Sequence, residues 1–219
     1  MKKLDSGPPW RSSYEENNYG DFFYSLVRVY QPEKVVELGT KAGYSAYHIA
    51  RGLKANGSGS LDCYDLWEKY EFKSVPKSVA EKNLKKFRDI ITLEQRDVVG
   101  AHELYGKIDL VRSKTSAEGG SSADHALRAG RTSNGVDILH VDLNNDGGIL
   151  EKVVPHWINK VRQFIIIEGG SSERDKIEWM IKYKKTSIAK WLESFSRRRG
   201  DIEYLTIEPF PSVTIIRKK

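Results

Sequence analysis

Acidic residues lie at the ends of several short apolar stretches. If these stretches are strands, the acids could bind ligands or exchange protons at the edge of a sheet. In an open α/β sheet, ligands bind beyond the carboxyl ends of the parallel strands. Carboxylates at that edge can accept hydrogen bonds from a sugar diol, bind a cation or exchange a proton. The sequence therefore predicts one cleft edged by the acids Glu37, Asp65, Asp97, Asp142 and Glu168.

A glycine-containing turn follows the first of these acids, within residues 35–45. Gly39 and Gly43 lack a Cβ atom, so the backbone there can approach a ligand closely. The helix predicted after Gly43 offers free N–H groups and the positive end of its dipole to a carboxylate or phosphate. The spacing differs from that of dinucleotide-binding turns and of phosphate-binding P-loops. The pattern is equally compatible with a structural Glu37 that caps the turn or pairs with a cation.

Asp142 and Glu168 close the two most apolar predicted strands, residues 136–141 and 164–167. If these strands are neighbours, about 4.8 Å apart, both carboxylates face the same crevice. Two like charges at that spacing need a cation or a shared proton. Oxygen ligands of this kind suit Mg²⁺, so the sequence leaves a magnesium site open at these two residues. His140, inside the first strand, is predicted to be a buried, hydrogen-bonded core histidine.

Alternating strands and helices must position these residues. The apolar periodicity predicts helices at residues 21–30, 44–53, 78–87, 149–161 and 174–195, the last with a break near 186–187. It predicts strands at residues 34–38, 60–64, 90–93, 136–141 and 164–167, then a hairpin of 202–207 with 213–216. This order favours an α/β fold: a doubly wound, Rossmann-like, seven-stranded sheet that is mostly parallel and ends in an antiparallel hairpin.

Length and composition fit one soluble domain. The 219 residues (25.0 kDa) carry 36 Lys and Arg against 30 Asp and Glu, a net charge of +6. The single cysteine, Cys63, excludes an intrachain disulfide and a Cys-rich zinc site. No apolar run reaches the roughly 20 residues of a membrane helix, and the N-terminus has no apolar core of a signal peptide. We therefore expect a cytoplasmic protein with a single domain over residues 1–219 and no membrane partner.

Three segments leave alternatives open. Residues 112–135 are rich in Gly, Ser and Ala, which predicts a flexible insertion, either an active-site lid or a tolerated surface loop. Residues 182–199 are strongly basic, which is typical of a solvated helix face but also fits binding of RNA or an anionic substrate. The N-terminal arm and helix, residues 1–33, include Trp10 and Tyr14, which could cover a substrate or pack on a second subunit of a homodimer.

Residues 37–45 resemble the first motif of class I S-adenosylmethionine-dependent methyltransferases. The Gly43-Tyr44-Ser45 ending is most similar to the catechol and caffeoyl-CoA O-methyltransferase type. Residues 166–175 resemble a related bacterial and phage group that includes antibiotic-tailoring O-methyltransferases. Residues 210–218 resemble the last strand of that fold. The resemblance covers about residues 20–219 apart from the 112–135 insertion.

The resemblance implies S-adenosylmethionine as the cofactor. Its methionine end would be held by residues of the first motif, namely Glu37, Gly39, Lys41, Gly43, Tyr44 and Ser45. Asp65 would bind the ribose, and Asp97 would lie near the adenine amino group. Trp67, just beyond Asp65, could stack on the adenine or be a tryptophan packed in the core or on the surface. Asp142 would contact the cofactor, would be the catalytic residue, and with Glu168 would hold Mg²⁺.

The sequence thus predicts a methyltransferase that acts on an oxygen of a small molecule, with an anionic acceptor compatible with the net charge. It departs from the catechol type in two places: Gly169 stands where Asn or Asp often supplies a further metal ligand, and Asn145 stands near an expected basic lysine. The need for a metal and the identity of the base therefore stay open. Two alternatives are an RNA or nucleotide-sugar methyltransferase that uses residues 182–199, and a non-catalytic binding module with the same fold.

Overall fold

The computed structural model describes residue 10 and residues 12–71, 75–106 and 135–219. Within these residues, seven strands form one mixed sheet: β1 (Lys34–Leu38), β2 (Ser60–Asp65), β3 (Ile91–Gln95), β4 (Val136–Val141), β5 (Val161–Glu168), β6 (Ile202–Ile207) and β7 (Val213–Lys218). Their order is β3-β2-β1-β4-β5-β7-β6, and β7 runs antiparallel to both of its neighbours. The predicted α/β fold, with a mostly parallel sheet and a C-terminal hairpin, is confirmed.

Helices cover both faces of the sheet. They are α1 (Tyr19–Tyr30), α2 (Tyr44–Asn56), α3 (Lys77–Leu84), α4 (Gly147–Trp157), α5 (Glu178–Lys182) and α6 (Ile188–Arg199). Because side chains alternate along a strand, Val35 and Ile138 share a core with α1 and α2, whereas Val36 and Leu139 share a core with α4 and α6. One apolar core therefore lies on each side, as a doubly wound sheet requires.

The sheet order reverses at β1, and this reversal opens a crevice at the carboxyl ends of the central strands. β1 pairs in parallel with both β2 and β4. The chain leaves β1 for α2 on one face of the sheet and leaves β4 for α4 on the opposite face. Because these two connections diverge, the strand ends between them stay uncovered. Of the predicted acids, Asp65 ends β2 and Asp142 follows β4 at this crevice.

Two helix predictions differ from the structure in their bounds. The helix predicted for residues 149–161 ends at Trp157, and Val161 already begins β5. Both side chains are buried in the same core, so the apolar spacing continued through the change of element. The helix predicted for residues 174–195 is divided into a 3-10 turn, α5 and α6. Its predicted break is confirmed, because the Ser187 hydroxyl accepts a hydrogen bond from the N–H three residues later and caps α6.

The N-terminal arm packs on α2 of the same chain. The ring centroids of Trp10 and Tyr47 are 5.0 Å apart, and those of Tyr14 and Tyr44 are 6.4 Å apart. Trp10 and Tyr14 are both buried. Nearly all of the predicted 112–135 insertion lies outside the described residues. No helix in the described part of the chain is long and apolar enough to cross a membrane.

His48 gives the contact between α1 and α2 a pH dependence. Its ring lies against Gly20, where an added Cβ atom would come within 2.4 Å of the imidazole. Burial and the neighbouring Arg51 charge lower the pKa of His48 from 6.5 to about 4. Between these two pKa values, the unfolded chain therefore binds a proton at His48 that the folded chain does not bind. The resulting contribution of His48 to the free energy of unfolding is complete above pH 6.5 and is lost as the pH falls toward 4.

We expect wild type to lose about 1–2 kcal/mol from this group over that window, a value reduced for the partial exposure of the ring. The variant His48→Gln should lack this component, because glutamine does not titrate. Urea unfolding of both proteins at about pH 7 and about pH 4.5 measures the difference. Equal losses of unfolding free energy in the two proteins would show that His48 is not responsible.

Candidate functional site

A cleft lies at the carboxyl ends of β1, β2 and β4, between the turns that follow these strands. Five predicted site residues line it: Gly39, Lys41, Asp65, Asp97 and Asp142. The rest of its wall is formed by Leu66, Tyr70, Val98, Val99, Leu143, Asn144 and Ile149. The cleft therefore combines three carboxylates with a largely apolar wall, which suits a ligand that has both positive charge and a flat apolar ring.

Gly39 forms the narrow point between β1 and β4. Its φ is +88°, and an added Cβ atom would lie 1.9 Å from the Asp142 carbonyl oxygen. The strands are this close because the Asp142 N–H donates to the Leu38 carbonyl oxygen at 2.9 Å. Gly43, with φ +90°, precedes α2, and its Cβ atom would lie 2.9 Å from Leu84. The backbone of the turn therefore requires glycine at both positions.

Asp65 holds this turn with both of its carboxylate oxygens. Oδ2 accepts hydrogen bonds from the N–H groups of Thr40 (2.8 Å) and Lys41 (2.7 Å). Oδ1 accepts one from the N–H of Trp67 at 2.7 Å. A carboxylate has about four acceptor positions, so about one is left for a ligand that enters the cleft. Asp65 thus shapes the turn and also presents an acceptor to the cleft.

Trp67 does not reach the cleft, and its predicted stacking on an adenine ring needs correction. The side chain is fully buried, and its indole N–H donates to the Lys41 carbonyl oxygen at 2.9 Å. The ammonium of Lys77 lies 5.8 Å from the ring centroid. With no exposed face, Trp67 supports the turn from behind, and the aromatic side chain of the cleft wall is Tyr70.

Other residues of the first motif also lie behind the cleft wall. The Tyr44 hydroxyl accepts a hydrogen bond from the Gly20 N–H at 3.2 Å and so ties α2 to α1. The Ser45 hydroxyl donates to Glu37 at 2.6 Å. The motif residues that the structure does not bring to the cleft surface are Glu37, Gly43, Tyr44 and Ser45. Their predicted contact with a cofactor stays a prediction.

Glu37 belongs to a buried chain of hydrogen bonds between the turn and the N-terminal arm. Its Oε1 lies 3.0 Å from Nδ1 of His140, whose Nε2 lies 3.1 Å from the Tyr14 hydroxyl. Glu37 and His140 are register partners on β1 and β4, so the sheet itself brings them together. His140 is the buried, hydrogen-bonded histidine that the sequence predicts. Glu37 Oε2 is buried and has no hydrogen-bond partner among the described residues.

Asp142 and Glu168 lie at the ends of the neighbouring strands β4 and β5, but of the two Asp142 alone lines the cleft, and Glu168 is buried. The charge of Glu168 acts directly on the Asp142 carboxyl. Burial, followed by the charge of Glu168, raises the pKa of Asp142 well above its usual range. Asp142 therefore keeps a proton at pH values at which a free carboxylate is ionised. The Ser13 hydroxyl of the arm donates to Glu168 Oε1 at 2.8 Å.

Arg174 lies beside this pair and was not anticipated by the sequence analysis. It is 2% exposed, and its Nη1 lies 3.9 Å from Glu168 Oε1. Its guanidinium lies 5.5 Å from the ring centroid of Phe210 and 6.0 Å from that of Trp179. Nε and Nη1 have no hydrogen-bond partner within the described residues. Its position shortly after Glu168 was the one available signal, and a pattern of residue types cannot show that a cation is buried.

The basic segment 182–199 is partly neutralised by ion pairs within the chain. The pairs are Lys185–Asp146, Arg197–Glu193, Arg198–Glu151 and Arg199–Asp201. Trp191 and Phe195 are buried, and their rings stack on each other with centroids 5.0 Å apart. The segment therefore offers neither these two rings for stacking on a nucleic-acid base nor a fully unpaired row of cations.

A family model described as a methyltransferase domain matches residues 36–167, from β1 to the end of β5. This match covers more than half of the chain, and the chain therefore belongs to the methyltransferase-domain family. Fold and family together define a class I methyltransferase, the class that depends on S-adenosylmethionine, and confirm the resemblance seen in the sequence. No curated protein matches the chain.

Solved O-methyltransferase structures have a similar fold at low sequence identity. The O-methyltransferase from Bacillus cereus in complex with SAH is 15% identical, with a TM-score of 0.60, over 97% of this chain and 84% of that chain. TomG from Streptomyces achromogenes, an O-methyltransferase of tomaymycin synthesis solved with SAM, is 14% identical, with a TM-score of 0.61, over 94% of this chain and 86% of that chain. At such identities the similarity shows the fold.

Proposed function

We propose that the chain binds S-adenosylmethionine in the cleft and transfers its methyl group to an oxygen atom of a small molecule. The observation that supports this most is the placement of Gly39, Asp65 and Asp142 around one cleft in a methyltransferase domain. The bound cofactor would supply a methyl group on a positively charged sulfur. Two structures with this fold contain SAH or SAM, which is consistent with the proposal.

The residues of the cleft fit such a ligand. Gly39 has no Cβ atom, which allows β1 and β4 to approach each other closely at the floor of the cleft. The carboxylates of Asp65, Asp97 and Asp142 suit a molecule that carries an ammonium and a sulfonium. Glu37 Oε2 is a buried acceptor whose missing partner costs free energy, and a cationic group bound nearby would offset that cost. We assign the methionine end to the 37–45 turn, the ribose to Asp65 and the adenine to the region of Asp97.

Asp142 is the residue best placed to take the proton of the acceptor hydroxyl. It lines the cleft, whereas its partner Glu168 is buried behind it. The pair carries one proton and one negative charge, so Asp142 can receive the acceptor's proton while its own passes to Glu168. General base catalysis of this kind contributes about 10²–10⁴-fold to a rate.

The residues of the pair provide weak support for assistance by magnesium. Within the described ranges, no three His, Cys, Asp or Glu side chains form a group that could hold a metal ion. Gly169 adds no ligand beside Glu168. The proton path through the two carboxyls requires no metal. The cytoplasmic location and the homodimer stay predictions.

Methyl transfer to a mixed panel of acceptors tests the proposed function. The purified protein is incubated with methyl-labelled S-adenosylmethionine and with phenols, catechols, sugars and nucleotide sugars, each in neutral and anionic forms, and separately with structured RNA. We expect label in a hydroxyl-bearing small molecule. Label in RNA alone would replace the small-molecule acceptor with a nucleic acid. Cofactor binding without transfer to any acceptor would favour the non-catalytic binding module.

A further inference from the structure

The buried cation Arg174 is not among the residues that line the cleft, and its surroundings are unusual. Its guanidinium is almost wholly inaccessible, and its nearest anion is Glu168, 3.9 Å away. Two of its nitrogen atoms lack hydrogen-bond partners among the described residues. A buried charge of this kind is costly unless it compensates an opposite charge. The compensated charge here is that of the Asp142–Glu168 pair.

Arg174 also occupies the room beside Gly169. A Cβ atom added to Gly169 would lie 3.4 Å from Arg174 Cδ, 3.6 Å from its Nε and 2.9 Å from Ile188 Cδ1. Gly169 has φ +95°, a conformation that disfavours any side chain. The position that resembles the site of a further metal ligand is thus closed by Ile188, with the Arg174 side chain in contact beside it.

Glu168 already has partners from this chain. Its Oε1 accepts a hydrogen bond from the Ser13 hydroxyl at 2.8 Å and lies 3.9 Å from Nη1 of Arg174. A hard divalent ion binds carboxylate oxygens that are free and ionised, and Mg²⁺ prefers octahedral coordination by oxygen. A site with two carboxyls, no third His, Cys, Asp or Glu ligand among the described residues and an adjacent cation does not fit such an ion.

We propose that Arg174 takes the place of a divalent metal ion, so that this methyltransferase is metal-independent. Its guanidinium, 3.9 Å from Glu168, supplies the positive charge next to the Asp142–Glu168 pair that a metal ion would otherwise supply. The inference rests on the proposed function, because it concerns the acceptor side of the same site. Arg174 acts through the pair and is a positioning residue.

The reaction balances without a metal. The bond between the methyl carbon and sulfur breaks as the bond between that carbon and the acceptor oxygen forms. The hydroxyl proton passes to Asp142, and the sulfur leaves uncharged as S-adenosylhomocysteine. The positive charge lost from the sulfur is matched by the proton gained by the Asp142–Glu168 pair, while Arg174 keeps its charge throughout.

Manganese binding tests this inference directly. Free Mn²⁺ is followed by electron paramagnetic resonance during titration of wild type, Arg174→Met and Arg174→Lys. Methionine has a similar length without the charge, and lysine restores the charge, so the two form a matched pair. We expect no Mn²⁺ binding tighter than millimolar in wild type or Arg174→Lys, and binding at least about tenfold tighter in Arg174→Met. Methyl transfer by wild type should be unchanged after treatment with EDTA.

The inference would be overturned if wild type bound Mn²⁺ stoichiometrically at micromolar concentration and Asp142→Asn abolished that binding. It would also be overturned if wild type and a folded Arg174→Met bound Mn²⁺ with equal affinity. If Arg174→Met does not fold, the wild-type titration decides alone. Calorimetry with S-adenosylmethionine on the same wild-type sample distinguishes a failure of the proposed function from a failure of the role of Arg174. Absence of cofactor binding would refute the proposed function, whereas a metal site beside intact cofactor binding would refute the role of Arg174.

Discussion

Replacing Gly39 with alanine is expected to abolish measurable cofactor binding and to destabilise the fold. The new Cβ atom would lie 1.9 Å from the Asp142 carbonyl oxygen, at a residue with φ +88°. β1 and β4 would have to separate where they form the floor of the cleft. We expect a loss of about 3 kcal/mol or more in unfolding free energy, from overpacking and backbone strain together. We expect the affinity for S-adenosylmethionine to fall at least about 100-fold, or roughly 2.8 kcal/mol.

Gly57→Ala is the matched control for this variant. Gly57 also has a positive φ, +72°, but its Cβ atom would have no neighbour within 4 Å. It follows α2, away from the cleft. The control should lose about 1 kcal/mol, which is the backbone cost alone, and should bind the cofactor like wild type. Thermal or urea unfolding and calorimetry measure both quantities. Wild-type affinity in Gly39→Ala would mean that the close approach of the two strands does not shape the binding site.

The second large effect is expected for Asp142→Asn, which should raise stability and lower activity. Burial and the charge of Glu168 raise the pKa of Asp142, so folding favours its protonated form. The stabilisation of the folded state by protonated Asp142 is complete below the pKa of an unfolded aspartate. It is lost as the pH rises through the raised pKa of the folded state. Asparagine resembles the protonated form at every pH. The variant should therefore gain about 1 kcal/mol over wild type at neutral pH, and the gain should grow with pH.

Asparagine cannot accept the acceptor's proton, so kcat should fall about 100-fold or more. Asp97→Asn is the control, because Asp97 also lines the cleft while one of its oxygens accepts a hydrogen bond from the Val99 N–H at 3.0 Å. We expect Asp97→Asn to change KM for the cofactor and to leave kcat near wild type. Denaturant unfolding and initial rates with an acceptor from the panel provide both readouts. A wild-type kcat for Asp142→Asn would remove Asp142 from the proton path.

The sequence predicts the sheet well because its strands are short, apolar and separated by clear breaks. Gly39 ends β1, and Gly57 ends α2, as their positive φ angles require. The error at residues 149–161 arose because a buried helix end and a buried strand start have the same apolar signal. Strand register and side-chain burial depend on the tertiary structure, so the apolar periodicity along the chain cannot predict them.

The residues of the candidate site likewise differ in whether the sequence could predict them. Asp65 and Asp142 were found because the fold places residues after strand ends at the cleft, so position along the chain was enough. Trp67 follows the same strand as Asp65, but its ring turns inward and donates to the Lys41 carbonyl oxygen. Arg174 comes from a turn after β5, and its contact with the carboxyl pair depends on packing against distant residues such as Phe210.

Binding of S-adenosylmethionine to the wild-type protein, measured by isothermal titration calorimetry, tests the central claim most directly. We predict one site per chain with a dissociation constant in the micromolar range, and weaker binding in Asp65→Ala, which removes the acceptor at the cleft and the three hydrogen bonds that hold the turn. No heat of binding at millimolar cofactor, from a protein whose unfolding is cooperative, would contradict the account.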